Sequence, residues 1–208
     1  MKRMLSVWAV VIVATAGMAA QAPGTAKPGT PAVVKPAAPA APAAAAKRSP
    51  GAGPVVVFDT AKGTFEVETY PNEAPKSVEH FLTLVKRNFY NGLRVHRMVP
   101  GFVVQFGDPQ TRDMTKRDDW GNRGSGKAIN VAEISPKRPH KLGAVALAHA
   151  GDPRQGDSQI YICINADSAR YDQIDGDFTV FAQVISGIDV VRQLKETDVI
   201  RRATVRAQ

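Results

Sequence analysis

The chain has 208 residues, with 27 Lys and Arg against 19 Asp and Glu and a formal charge of +8. The surplus is uneven: Lys2, Arg3, Lys27, Lys35, Lys47 and Arg48 precede residue 55, all 19 acids follow it, and the other 21 cations nearly balance them, which argues against a nucleic-acid surface on the globular part. A single cysteine, Cys163, excludes an intramolecular disulfide and reads as a small buried hydrophobe, because no activating base is evident beside it.

Met1-Lys2-Arg3, an apolar run from Leu5 to Ala20 and small residues around Ala19 to Ala22 describe a secretory signal peptide over residues 1–22. Uncleaved, the same run is an N-terminal anchor at the short end of the roughly 17–25 residues a spanning helix needs. Residues 23–54 are rich in Ala and Pro, with no aromatic residue and no acid, and predict a disordered linker that holds the domain away from its N-terminal end. A domain over residues 55–208 follows. Export places it in the periplasm or outside the cell, or, with the leader retained, anchored in an inner membrane and facing the periplasm.

Val55 to Phe58 and Thr64 to Tyr70, around Lys62-Gly63, predict a hairpin. Pro75 suits a first helical turn, Val78, Phe81, Leu82, Val85 and Phe89 share a 3.6-residue face, and Asn91-Gly92 supplies a stop. Short strands follow around Leu93 to Val99, Phe102 to Phe106, Val145 to His149, Ile160 to Asn165 and Thr179 to Val184, then a second helix from Ile188 to Lys195 with Ile188, Val191 and Leu194 inward. Arg201, Arg202 and Arg206 read as a solvated tail. Many short strands with two helices point to a barrel or sandwich.

Two strands carry more than a core pattern. Strand alternation gives Arg97, Val103 and Gln105 one parity across the Pro100-Gly101 bend, while Val104 and Phe106 point the other way. In the run from Ser158 to Ile164 the three Ile residues face one side, and Gln159, Tyr161 and Cys163 the other. The Ile face fills an interior, so the polar and aromatic face belongs to a shallow groove on the outer wall.

The run from Val95 to Asp108 resembles the segment of cyclophilin-type peptidyl-prolyl isomerases that reads Phe-His-Arg, two apolar residues, Pro-Gly-Phe, a variable pair, Gln, then Gly-Gly-Asp; here Val95 replaces the Phe and Phe106 the first glycine. Two further blocks, Leu142 to Gly151 continuing to Asp157–Ile162, and Ile174 to Phe181, are similar in the same order. The resemblance covers roughly Val55 to Leu194. It implies a closed eight-stranded antiparallel β-barrel capped by two α-helices, and an enzyme that rotates X–Pro bonds in unfolded or partly folded proteins as a monomer, without cofactor or metal.

By that resemblance Arg97 is the catalytic guanidinium. Phe102, Val103, Tyr161, Ile174 and Phe178 form a proline pocket, Gln105 and Gln159 hydrogen-bond near the peptide, and the Ala148-His149-Ala150 backbone pairs with the residue before proline. Val103 replaces a frequent Met and narrows the floor, and His149 replaces an Asn whose role is main-chain pairing. Gln173 and Phe178 stand where many eukaryotic members have the Trp that binds cyclosporin and a His, so weak cyclosporin binding is expected. Two other readings of the residues are a non-catalytic binder of proline peptides and a small-ligand barrel, the latter disfavoured by the inward Ile stack.

Gly121 to Lys127 has phosphate-loop spacing, but Ala128 stands where a magnesium-holding hydroxyl would be, so a flexible loop beside the groove is expected. The four histidines show no zinc spacing, and His96 reads as a structural residue hydrogen-bonded within the barrel. Asp172, Asp175 and Asp177 lack calcium-loop spacing, Asp175-Gly176 reads as a hairpin turn, and Trp120 as an anchor for its loop.

Overall fold

A computed structural model describes residues 52–166 and 169–207; the expected leader and nearly all of the linker lie outside the described residues. Strand β1 (Val55–Thr60) turns at Lys62 into β2 (Gly63–Thr69), with the Thr60 hydroxyl donating to the Gly63 carbonyl and accepting from the Lys62 amide. Helix α1 (Pro75–Lys86) follows, then β3 (Val95–Val99), β4 (Val103–Phe106), 3-10 turns at Pro109–Arg112 and Met114–Asp119, and β5 (Ala144–Leu147). A third 3-10 turn at Pro153–Gln155 precedes β6 (Ile160–Cys163), the single-turn helix α2 (Ala169–Asp172), β7 (Val180–Ser186), α3 (Ile188–Gln193) and β8 (Ile200–Val205).

The eight strands form one antiparallel sheet in the order β3-β4-β6-β5-β7-β2-β1-β8. Its ends meet at a seam where Arg94 bridges Val199 and the Leu93–Val95 and Thr197–Ile200 segments exchange backbone hydrogen bonds. A strand ladder between β3 and β8, which the expected closed barrel requires, is absent among the described residues, so the sheet is curled and pinned at its seam. The C-terminal run read as a tail is β8: Ile200 and Ala203 are buried against β1, and Arg201 and Arg202 stay in solvent. Charged outward positions masked its alternation.

The inner face of the curl carries the main core. Phe58 stacks on Phe65 at 4.9 Å and meets Phe106 edge-on at 5.6 Å, while Val104, Ile160, Ile162 and Ile164 complete the layer. Helix α1 plugs this core with Val78, Phe81, Leu84 and Val85, and α3 with Val191. Burying one such aromatic side chain stabilises by about 1.5–3 kcal/mol, and Phe58, Phe65, Phe81, Phe106 and Phe181 are all buried in this interior.

Three helices stand among the described residues where two were expected, because Tyr171 closes a turn that periodicity could not reveal. Helix α1 stops at Asn88 and not at Asn91-Gly92: Asn88 takes φ 57°, Phe89 N–H donates to Leu84 O and Asn88 N–H to Val85 O, the paired closure of a left-handed C-terminal cap. At its other end the Glu133 carboxylate accepts from the Lys76 and Ser77 amides at 2.9 and 2.8 Å. Leu84 is buried where the expected face had Leu82, which sits at the margin. Asp175-Gly176 lies in the turn between α2 and β7, so it joins helix to strand instead of closing a hairpin.

Candidate active site

The outer face of β3, β4, β6, β5 and β7 carries a second, smaller apolar cluster: Val103, Ala144, Ala146, Tyr161, Cys163, Tyr171 and Val180, with Val99, Phe102, Ala148, Ile174 and Phe178 packed on it. Register aligns the site. Arg97 pairs with Gln105, Gln105 with Tyr161, and Tyr161 with Ala146, so these side chains form one transverse row across four strands.

Arg97 reaches that row through a bulge. Val95 pairs with Phe106 and Arg97 with the next residue, Gln105, leaving His96 as the extra residue of β3. In a regular strand Val95 and Arg97 would share a face; the bulge lets Val95 enter the core while Arg97 points outward. His96 therefore has a geometric role: among the described residues neither ring nitrogen meets a partner at full hydrogen-bonding geometry, with the Gln159 side chain its near neighbour, in place of the barrel hydrogen bonds expected of it. Burial lowers its pKa below the ordinary histidine value.

The guanidinium is held by a relay of polar groups with a defined direction. Asp108, fully buried, accepts from the Gln110 amide at 2.7 Å with one oxygen and from the Gly121 and Arg123 amides at 2.7 and 3.1 Å with the other. This fixes the Gly121 and Arg123 carbonyls, which accept from Gln159 Nε2 at 2.7 and 2.9 Å. The amide end of Gln159 being committed, its Oε1 faces Gln105 and accepts from Gln105 Nε2 at 2.9 Å, which turns Gln105 Oε1 toward Arg97 Nη1 at 3.2 Å. No carboxylate pairs with Arg97 among the described residues, so its charge is left for a ligand. The loop expected to be flexible is tied at Gly121, Arg123 and Gly126, the last donating to Asp157 at 3.0 Å, and Trp120 Nε1 donates to Asp113 O as an anchor.

Arg97, Phe102, Val103, Gln105, Ala148, His149, Tyr161, Ile174 and Phe178 line one hollow of about 210 Å³. Ala150 and Gln159 line a neighbouring hollow of about 630 Å³ that shares Gln105, Ala148 and His149. The structure thus gathers all eleven residues singled out by sequence. Ala148 N–H donates to Gln159 O at the end of β5, and beyond it the chain leaves the sheet along the rim. His149 is held at both ring nitrogens: Nε2 lies 3.0 Å from Asp177 O, Nδ1 accepts from the Gly151 amide at 3.2 Å, and the ring stacks on Phe178 at 4.3 Å. Cys163 is buried with its thiol pushed up to about 12, chiefly by burial, and is no nucleophile at neutral pH.

Residues without a sequence signal hold the walls. Tyr171 stacks on Phe102 at 5.5 Å, donates to Phe102 O at 2.8 Å and accepts from the Asn165 amide. His140 Nε2 lies 2.8 Å from the Tyr161 hydroxyl and its Nδ1 2.5 Å from Asp175 Oδ1. Asp108 ends the run from Val95 to Asp108, where its type alone gives it no role; Tyr171, His140 and Asp175 are far from Phe102 and Tyr161 in the chain, and only the fold brings them together.

A cation beside an apolar hollow, with no acid lining it, favours an uncharged group whose electron density rises during reaction. The family model "Cyclophilin type peptidyl-prolyl cis-trans isomerase/CLD" matches residues 55–207. The chain belongs to the cyclophilin family. It is 35% identical over 143 residues to a peptidyl-prolyl cis-trans isomerase of Helicobacter pylori, covering 68% of this chain and 80% of that protein. With a probable peptidyl-prolyl cis-trans isomerase of Brucella abortus it shares 34% identity over 144 residues, 68% of this chain and 71% of the relative. A cyclophilin crystal structure from Cryptosporidium parvum shares the fold, with a TM-score of 0.62 at 21% identity over 74% of this chain and 98% of that one. This cyclophilin is therefore a peptidyl-prolyl cis-trans isomerase, an enzyme class that acts on proline-containing peptides.

Among the described residues no helix is long and apolar enough to cross a membrane, and no group of three or more His, Cys, Asp or Glu could hold a metal ion.

Proposed function

We propose that the hollow of about 210 Å³ seats the proline ring and that Arg97 is the catalytic group. Rotation of a peptide bond meets a barrier of roughly 18–20 kcal/mol because resonance is lost, and no bond need be made or cleaved. As the amide twists, the prolyl nitrogen recovers a localised lone pair. A guanidinium aimed at it binds that state better than the planar ground state. Phe102, Val103, Tyr161, Ile174 and Phe178 hold the ring, Gln105 and Gln159 orient the flanking peptide, and the Ala148-His149-Ala150 rim pairs with the residue before proline. Removing about 7 kcal/mol of barrier corresponds to roughly five powers of ten in rate.

The observation that carries this reading is the directed relay from Asp108 to Arg97, which fixes an unpaired cation at the edge of the hollow. A Cryptosporidium parvum cyclophilin of the same fold, TM-score 0.62 at 20% identity, was crystallised in the presence of the dipeptide Ala-Pro, which supports a small X–Pro ligand class. The test is cis-to-trans conversion of a short Ala-Pro peptide. Arg97→Ala should lose about 10²-fold in kcat/KM with an unchanged melting temperature; an equally active variant would refute Arg97 as the catalytic group.

The substrates are proline-containing segments of exported proteins that are still folding, where uncatalysed isomerisation takes tens of seconds. The basic-apolar-small opening supports export across a bacterial inner membrane, either with cleavage or as a tether, followed by action as a monomer in the periplasm or beyond. Fractionation with N-terminal sequencing of the mature protein tests this, and a cytosolic chain beginning at residue 1 or 2 would refute it.

A further inference from the structure

Behind the proline hollow lies a polar chain, buried at Tyr161 and His140 and reaching solvent at Asp175, that the isomerase reaction does not require. Tyr161 contributes its ring to the hollow, but its hydroxyl points away from it to His140 Nε2 at 2.8 Å. His140 is shut from solvent, its side chain 1% exposed, and its Nδ1 and backbone N–H both meet Asp175 Oδ1, at 2.5 and 2.7 Å. Asp175 follows Ile174, itself a wall of the hollow, so the chain joins the floor to one side. Phe178 packs edge-on against both rings, 5.6 Å from Tyr161 and 6.4 Å from His140.

Asp175 accepts, so Nδ1 carries a hydrogen, and where Nε2 is bare it accepts from the Tyr161 hydroxyl. We infer that Asp175 and His140 are positioning residues that hold Tyr161 with its hydroxyl hydrogen turned out of the proline hollow, and that protonation of His140 reverses this hydrogen bond and weakens proline binding. This rests on the proposed assignment of the hollow to proline. When His140 gains a proton, Nε2 becomes a donor to the phenolic oxygen. The hydroxyl hydrogen then turns off that axis, beside an apolar surface where an unmatched donor is unfavourable.

The groups facing His140 are few. Asp175 comes from the turn after α2 and Tyr161 from β6; Arg138, on its own loop, lines the same outer hollow of about 330 Å³ as His140 and Asp175. His149 at the rim is the other titratable group of the site, held by Asp177 O and the Gly151 amide. A variant comparison separates its contribution from that of His140.

The experiment follows kcat and KM for an Ala-Pro peptide on the full chain between pH 8 and 5, where a histidine changes charge. In the wild type KM should rise about tenfold toward pH 5, with kcat within twofold. His140→Gln keeps a non-titrating acceptor for the hydroxyl, so its KM should stay flat from pH 8 to 5. Tyr161→Phe leaves the ring but removes the hydroxyl, and should show a raised, flat KM. A wild-type KM flat from pH 8 to 5 overturns the inference, as does a His140→Gln profile identical to the wild type, which would assign the titration to His149. Should Tyr161→Phe fail to fold, as judged by circular dichroism, the His140→Gln comparison decides alone. Arg97→Ala in the same assay keeps the two claims apart: an active Arg97→Ala removes the proposed site, whereas an inactive one with a pH-independent wild-type KM removes only the role of His140.

Discussion

Gln159 offers a direct test of whether polarity, and not mere contact, orients the guanidinium. Gln159→Glu changes little in size but replaces the amide nitrogen, which donates to Gly121 O at 2.7 Å and Arg123 O at 2.9 Å, with an oxygen. Two hydrogen bonds of about 0.5–1.5 kcal/mol each are lost and two carbonyls face a carboxylate, so a destabilisation of about 2–4 kcal/mol is expected. For a domain of this size that is a fall of roughly 5–15 °C in melting temperature. The inversion propagates outward: the carboxylate draws Arg97 or turns Gln105, and kcat/KM for an Ala-Pro peptide should fall about tenfold or more. Gln159→Leu, which removes the polar groups without inverting them, should fall less in both. Thermal denaturation and the peptide assay on both variants suffice, and a Leu variant as impaired as the Glu variant would refute the directed relay.

Gly107→Ala should be among the most disruptive single substitutions, because Gly107 sits at φ 119° and a Cβ there would lie 2.2 Å from Ser158 O; a loss above about 3 kcal/mol is expected in urea denaturation, and a loss under 1 kcal/mol would contradict the packing of β4 on the segment before β6. Stability should fall in two steps on acidification. Burial holds the folded-state pKa of His96 below the unfolded value near 6.5, so stability is lost as pH drops from about 6.5 through the folded pKa. At Asp157 burial alone would raise the pKa, but hydrogen bonds from His80, Ser125 and the Gly126 amide outweigh it, and stability present above the unfolded carboxylate value near 4 is lost as pH falls through the lowered one. Melting temperature against pH measures both steps, and an upper step unchanged in His96→Gln would exclude His96. Cyclosporin should bind weakly, since Gln173 is an exposed turn residue and Phe178 is already stacked on His149; a nanomolar-class complex by calorimetry would reverse that expectation.

Much of the site was legible because strand parity is a short-range property. The alternation of Val104 and Phe106 against Val103 and Gln105, and of Ile160 and Ile162 against Tyr161 and Cys163, assigns an inner and an outer face without any partner strand, and both assignments hold. What escaped depends on register and on distant pairs. The His96 bulge exists only relative to β4. Strand β8 is recognisable through its pairing with β1 more than through its Arg-rich pattern, and Asp108, His140, Tyr171 and Asp175 act on groups that the chain brings near only after folding.

The bulge also explains how a filled, curled sheet can present a charged side chain on its outer wall. With its inner face committed to Phe58, Phe65, Phe106 and the Ile layer, the sheet has only its outer wall to offer a peptide. A regular β3 would place Arg97 on the same side as Val95, inside that core, where a charge without a partner is prohibitive. One inserted residue moves the guanidinium to the outer row beside Gln105 and Tyr161 and leaves the apolar side of the strand intact. Deleting His96 would therefore be expected to do more than remove a ring. It would drive Arg97 inward or shift the whole of β3, giving loss of isomerase activity together with a lowered melting temperature, whereas His96→Ala, which keeps the bulge, should retain most activity. A deletion variant as active and as stable as the wild type would show that Arg97 does not owe its position to the bulge.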